Sequence, residues 1–523
     1  MLKTALIFGN DMVLQRDKQI PVWGTAEPGT EVTVSLQGRS ATTRTGEGGS
    51  WKLLLDPLQT SFAETMTVTD EKETLTYTGV QIGEVWLAGG QSNMEFHMRY
   101  DADLAEELPH CQNDAIRFFD YPEVSYPGQI DEADYSREYG FWRRCDPEDL
   151  ERFSAVGYYF AKELQEQLGV PVGIIGCNWG GSPACAWMDE KHIKSGGGQV
   201  YLDEYNQAVD KLDLAAYDAQ FRANLGNFHT DLLADPISDL FMFGATMEEI
   251  GAKLAEMGVD PAAMANYAPV VGPKYERRPS GLYESMLRPL APYALRGFLY
   301  YQGETDGDTH PECYRTLFPA LIANWRELWG EELPFLFTQI APLEQWMACV
   351  GEPYVAIREA QQHTADTVPG TGMAGTADVG MRWDIHPKKK QPVGHRLALL
   401  AEKKVYGQQV LCDAPRLRGA TAENGRLTLC FDHAGDGLEL RDRLPDGTAV
   451  EKTKLGGLQV LQNGAEMDVT RLTAEARGDT VVLSGEEIRG DGAFTVKLAK
   501  TGWYAVNLTN SAGIPAVPGE LNG

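Results

Sequence analysis

The stretch Gly83-Glu84-Val85-Trp86-Leu87-Ala88-Gly89-Gly90-Gln91-Ser92-Asn93-Met94 decides how the chain is read. Val85 to Ala88 is a short apolar run, read as a buried strand, and Gly89-Gly90 ends it in a tight turn. Ser92 then stands where the chain leaves the sheet and a helix begins. Such a turn lifts one side chain above the sheet edge, with backbone N–H groups turned toward a developing negative charge. Taken alone, Gly-Gln-Ser after a strand is equally an ordinary loop.

Upstream, residues 1–82 read as an all-β domain. Val32 to Leu36, Trp51 to Leu55, Met66 to Thr69 and Leu75 to Tyr77 are short, partly alternating runs punctuated by glycines and Pro57, a spacing that suits a small β-sandwich. From residue 83 to 406, strands alternate with helices. Ser154 to Leu168 carries an apolar stripe at helical spacing and closes on Gly169; Val172 to Gly176 and Arg296 to Tyr301 read as strands. A helix follows through Leu317, Leu321, Trp325 and Trp329, then a strand from Pro334, a helix Ala356–Ala365, a strand Met373–Ala377 and a helix Val393–Val405. This alternation predicts an α/β domain with a mainly parallel sheet covered on both faces and ligands at the carboxyl ends of its strands. Residues 189–278 interrupt it with two amphipathic helices, Tyr205–Leu225 and Ser238–Met257. This helical insertion reads either as a lid or substrate wall, or as a decorative or dimer-forming element. Residues 407–523 return to β patterning, with runs at Leu427–Phe431, Val481–Leu483, Thr495–Leu498 and Trp503–Val506. They form a second sandwich-like domain, structural or carbohydrate-binding.

Three further segments carry chemistry: Asn178-Trp179-Gly180-Gly181-Ser182-Pro183-Ala184-Cys185-Ala186-Trp187, Tyr300-Tyr301-Gln302-Gly303-Glu304-Thr305-Asp306 and Trp383-Asp384-Ile385-His386-Pro387. With Gly90-Gln91-Ser92-Asn93-Met94, and with Met12 to Arg16 and Pro21 to Gly24 near the start, they resemble the sialate O-acetylesterase-like carbohydrate esterases of the SGNH hydrolase superfamily. Four separated motifs in the right order make a specific match, covering most of residues 5 to 406. The resemblance implies a three-layer, flavodoxin-like SGNH hydrolase core and a serine acetylesterase acting on acetylated sugars. Gly89 stands where relatives often have Ser, Glu284 where Asn is commoner, and Thr305-Asp306 in place of Ser-Asn.

Acyl transfer needs a nucleophile, a base, a group that orients the base, and donors for the oxyanion. Ser92 is the candidate nucleophile; its context is not Gly-x-Ser-x-Gly, which disfavours the α/β-hydrolase elbow. His386, one of nine histidines, is the candidate base. Asp384 lies two residues before it, and an extended segment would put both side chains on one side. Glu304 is the alternative orienter, and Asp378 a weaker supporting candidate. For the oxyanion, the resemblance implies the backbone N–H of Ser92, that of Gly181 (or Gly180), and the side-chain amide of Gln302. Trp179, Tyr283, Glu284 and Tyr301 are candidate substrate contacts, although aromatic residues beside strands are commonly core.

The chain has 523 residues, too many for one core, and a formal charge of −29 from 46 basic and 75 acidic residues. That charge argues against nucleic acid or an anionic membrane as partner. The expected partner is an acetylated carbohydrate, and a homo-oligomer is left open. Eight scattered cysteines form no Cys-x-x-Cys pair, and no metal-ligand spacing is present, so neither a metal nor another cofactor is assigned. The first residues lack a long apolar leader, which gives a cytoplasmic expectation. The rival readings are a non-catalytic carbohydrate-binding or scaffold protein and an esterase for non-sugar esters.

Overall fold

The computed structural model describes residues 1–223, 236–258, 270–488 and 493–522. The chain divides into two compact units, one of residues 1–300 with 316–335 and the other of residues 301–315 with 336–523.

The first unit is built on one long strand, Thr74–Gly90. Its outer half alternates exposed and half-buried residues, whereas everything from Val80 to Gly90 is buried. The outer half pairs antiparallel with Ser61–Thr69, and the short strand Val13–Gln15 lies parallel to Gln81–Gly83. Val172–Asn178 then runs parallel to the inner half, from Val172 opposite Glu84 to Asn178 opposite Gly90. On its other side Val172–Asn178 takes Asn113–Asp120 in parallel, and Trp142–Cys145 closes that edge antiparallel. Gly297–Tyr301 lies on the opposite flank of the long strand. The expected boundary at residue 82 therefore falls inside a continuous strand. A Cβ on Gly83 would sit 2.0 Å from the Pro171 carbonyl oxygen, so the glycine serves close approach of two strands and ends nothing.

Glu84 is wholly buried, and its carboxylate accepts from the side chains of Arg16, Arg296 and Gln15. Arg16 Nε reaches one carboxylate oxygen at 2.6 Å, Arg296 Nε the other at 2.6 Å, and Gln15 Nε2 the latter at 3.1 Å. Burial alone would raise this carboxyl's pKa, but the two guanidiniums and the amide outweigh it and leave the pKa below its ordinary value. The helix Ala155–Leu168 covers the sheet much as its periodicity predicts: Ser154 caps it by accepting the Gly157 N–H, and Gly169 ends it with φ 64°. Phe160 meets Trp86 edge-on at 5.2 Å.

The described part of 189–278 carries helices as expected, in shorter pieces than the periodicity suggests, and its residues 270–278 are turns and bends. Helices span Gln199–Val209 and Leu214–Ala223, then Pro236–Met242 and Met247–Glu256. Asp213 breaks the first pair by accepting the Ala215 N–H at 3.0 Å. Gly244, at φ 81°, and the Thr246–Glu249 capping box break the second. Residues 224 and 225 of the first expected helix lie outside the described residues.

The second unit holds the strand Thr371–Ala374, the helices Tyr354–Thr367 and Gln391–Lys404, and a carboxyl-terminal β region. There one antiparallel sheet orders Arg416–Glu423, Arg426–Asp432, Thr480–Ser484 and Thr473–Arg477; another orders Ala465–Glu466, Leu458–Gln462, Phe494–Leu498 and Gly519–Asn522. Leu427, Leu429, Phe431, Val481 and Leu483 of the first share one core with Val460, Val496 and Leu498 of the second. Trp503–Val506, expected as a strand, is irregular. The Tyr504 ring lies under the Arg358 guanidinium at 5.0 Å, and the Val506 N–H donates to Ala377, so this segment serves packing and not a ladder.

Glu84→Ala leaves two guanidiniums without their carboxylate and is expected to cost about 3–5 kcal/mol. The check is a lowered urea midpoint; an unchanged one would mean the cluster contributes no net stability.

Candidate functional site

The candidate residues fall into two groups, one in each unit. In the first, the inner half of Thr74–Gly90 delivers the turn at the carboxyl edge of the sheet. Gly90 has φ 136°, a region that side chains avoid, and a Cβ on Gly89 would lie 2.5 Å from the Trp325 ring. That contact explains why glycine stands at position 89. Ser92 opens the one-turn helix Ser92–Glu95 and is half-buried, between the buried Gln91 and Asn93. The Trp179 N–H donates to the Gly90 carbonyl at 3.1 Å, joining the two motif turns directly. Ser182 Oγ donates to the Trp179 carbonyl at 2.7 Å and accepts Trp187 Nε1 at 2.8 Å, which fixes the second turn. Of the two glycines there, Gly180 faces the serine: a Cβ on it would lie 3.4 Å from Ser92 Cβ and from Glu95 Oε2. Gly181, at φ 71°, faces the Arg277 guanidinium instead, 2.5 Å from where its Cβ would be.

Asp120 is a residue that the sequence reading passed over. It ends the strand Asn113–Asp120 at the same sheet edge, opposite Gly176, where any Cβ would come within 2.4 Å of its Oδ1. Burial pushes its carboxyl up to about 8; the Arg143 charge opposes this, and Glu95 and Glu138 add to it. Asp120 is therefore protonated at neutral pH. The available signal was an aspartate ending the apolar run Ala115 to Phe119.

Tyr283 and Glu284 line a cavity of about 300 Å³ together with Asp189, Tyr205, Asn206 and Arg278. Glu284 is partly exposed and accepts from Arg278 Nη2 at 2.8 Å. Trp179 is nearly buried. Tyr301, expected as a sugar contact, is fully buried with the Lys390 ammonium 5.4 Å from its ring centre. Its ring is core, because a strand covered on both faces has no solvent side for an aromatic residue to present.

In the second unit, Gln302 begins the turn into the helix Glu304–Thr309, with Gly303 at φ 145°. Its side-chain Nε2 donates to Asp306 Oδ2 at 2.5 Å, and its Oε1 accepts the Tyr314 hydroxyl at 3.0 Å. Gln361 Nε2 donates to its backbone carbonyl at 3.1 Å. Glu304 is buried at the first position of that helix.

The Asp384–Pro387 segment is a bend and not the extended run that would align residues two apart. Asp384 reaches His386 differently: its Oδ1 accepts the His386 backbone N–H at 2.8 Å and lies 3.5 Å from Nδ1. Lys388 Nζ holds the other oxygen at 2.8 Å. Burial would raise the Asp384 pKa, but the hydrogen bond with His386 and the Lys388 charge prevail and lower it. His386 is itself buried, with the Trp346 ring edge-on at 5.3 Å. Burial lowers its pKa; Asp384 opposes that shift, and Lys390 and Lys388 reinforce it. Asp378 is committed elsewhere, in a buried two-pronged pair with Arg396 at 2.8 and 2.7 Å. Among the described residues no cluster of three or more His, Cys, Asp or Glu side chains is arranged to hold a metal ion. No described helix is long and apolar enough to cross a membrane.

Comparison with known proteins places these motifs in context. The family described as "Carbohydrate esterase, sialic acid-specific acetylesterase" matches residues 236–401, which include Gln302, Asp384 and His386. The sialate O-acetylesterase of Mus musculus is 26% identical over 460 residues, 81% of this chain and 77% of its own length. That of Homo sapiens is 26% identical over 470 residues, 82% of this chain and 76% of its own. A solved structure of a carbohydrate acetylesterase from Xanthomonas citri is 28% identical, covers 99% of both chains and superposes with a TM-score of 0.70. The chain has the mixed α/β core with added β regions of a carbohydrate esterase. More narrowly, it is sialate O-acetylesterase-like.

A base must be neutral to accept a proton, and burial favours neutral His386. If His386 is the base of an esterase, the acid limb of kcat/KM is expected to have its midpoint below the 6.5 of an ordinary imidazole, activity falling only as pH drops through that lower value. A pH–rate profile checks this; a limb centred at or above pH 7 contradicts it.

Proposed function

We propose that this protein is a serine acetylesterase that removes O-acetyl groups from carbohydrates. The observation that carries the reading is the likeness over 99% of both chains to the Xanthomonas citri carbohydrate acetylesterase, joined by similarity to mammalian sialate O-acetylesterases. In this reading the core is a three-layer SGNH domain that starts within the strand Thr74–Gly90 and runs to residue 406, with β regions before it and at 407–523 and the 189–278 helices bordering the substrate. The partner is an acetylated sugar.

Ser92 Oγ attacks the acetyl carbonyl while His386 takes its proton, the imidazolium being stabilised by Asp384, with Glu304 as the alternative carboxylate. The tetrahedral oxyanion is held by the Ser92 N–H, a glycine N–H of the Gly180-Gly181 turn and the Gln302 amide. Neutral amides suit this task because they bring no competing titration into the site. His386 then protonates the sugar oxygen, the sugar leaves, and water activated by the same imidazole releases acetate. The position of Gly180 against Ser92 supports this turn as one wall of the oxyanion site.

Ser92→Ala is expected to fold normally and lose nearly all release of acetate from 4-nitrophenyl acetate and from acetylated oligosaccharides. Wild-type rates in that variant would refute the nucleophile. A steep rise in rate with acyl chain length would move the assignment to non-sugar esters.

A further inference from the structure

The Gln302 side chain ends in a carboxamide whose last torsion has only a broad, two-fold preference, so the chain's own stiffness does not aim it. The structure supplies the aim from two sides. Asp306 follows four residues later, inside the helix Glu304–Thr309, and its side chain is fully buried. Its Oδ2 lies 2.5 Å from Gln302 Nε2. A carboxylate only accepts, so the nitrogen end must face it. Tyr314, also fully buried, brings its hydroxyl 3.0 Å from Oε1 and 3.1 Å from the Gln302 backbone oxygen. Both of those oxygens are acceptors, so the hydroxyl donates. Gln361 holds the backbone on the other side, donating to Gln302 O at 3.1 Å while its own Oε1 accepts the Ile340 N–H at 2.9 Å. Every partner named lies in the second unit.

We propose that Asp306 and Tyr314 are positioning residues that lock the Gln302 carboxamide in one orientation, with one N–H anchored on Asp306 and the second presented to the oxyanion. This rests on the oxyanion role proposed above for Gln302. An amide has two donor hydrogens. Fixing one determines the direction of the other, since all atoms of the group are coplanar. A donor already aimed loses nothing to reorganisation when charge develops, which is the source of oxyanion-hole catalysis. Neither Asp306 nor Tyr314 acts on the substrate; each acts through Gln302.

The test is a double-mutant cycle on kcat and KM for 4-nitrophenyl acetate. Gln302→Ala is expected to lower kcat by about 10²–10³. Asp306→Ala in the wild-type background should lower kcat by roughly ten-fold or more with KM little changed, as expected for a contact that matters only in the transition state. In the Gln302→Ala background the same change should alter kcat by less than about two-fold, because the group it aims is gone. Asp306→Asn, which keeps an acceptor oxygen in place, should restore most of the rate. Full additivity of Asp306→Ala with Gln302→Ala, or no loss in the wild-type background, overturns the positioning role while leaving the esterase reading intact. If Asp306→Ala does not unfold cooperatively, Tyr314→Phe, which removes a single oxygen, carries the same cycle. A fully active Gln302→Ala removes Gln302 from the oxyanion site, and the positioning role falls with it.

Discussion

Parallel pairing between Glu84–Gly90 and Val172–Asn178 is the constraint from which the amino-terminal part of the site follows. Parallel strands end at the same sheet edge, so Gly90 and Asn178 finish side by side and the turns after them emerge together. The Trp179 N–H to Gly90 hydrogen bond and the approach of Gly180 to Ser92 are consequences of that register. A slip of one residue would turn every inner side chain to the opposite face and carry Ser92 away from the glycine turn. Glu84 resists that slip: a buried carboxylate with two guanidinium partners has no acceptable alternative position.

In the second unit, side chains accepting or donating to backbone do what sheet register does in the first. Asp384 folds the segment by taking the backbone N–H of His386, so orientation of the imidazole is a local matter of two residues and one turn. The same carboxylate balances Lys388, and the imidazole is buried beside Trp346. Burial thus lowers the imidazole pKa while the nearby carboxylate opposes the shift. Asp120 illustrates the same rule in the first unit, where desolvation prevails and leaves a neutral acid at the sheet edge.

How much of this was legible depended on whether a residue's environment is local. The helix Ala155–Leu168 announced itself through its apolar stripe, Ser154 and Gly169, and the turn at Ser92 through two glycines after an apolar run. Asn113–Asp120 stayed hidden because Arg117 interrupts its pattern; that arginine is nonetheless buried, with Nη1 donating to the Ile116 carbonyl at 2.9 Å. The boundary expected at residue 82 followed the change of pattern there, and nothing in the sequence shows that one strand runs through it. Trp503–Val506 has strand composition, yet Tyr504 is held by Arg358 from far away in sequence. Tyr301 failed as a sugar contact for a similar reason: composition marks an aromatic residue as able to stack, and only the fold decides whether it meets solvent. For Asp384 and His386 the spacing suggested a pair if the segment were extended; instead a bend brings the carboxylate to the His386 backbone N–H.

The undivided strand Thr74–Gly90 also bears on ancestry. Exchange of modules between genes works where a cut leaves hydrogen-bonded ladders whole, and a cut between residues 82 and 83 would leave each daughter with half a strand and exposed edges. The leading β segment and the serine turn thus share one strand, and severing it would break ladders on both sides of the cut.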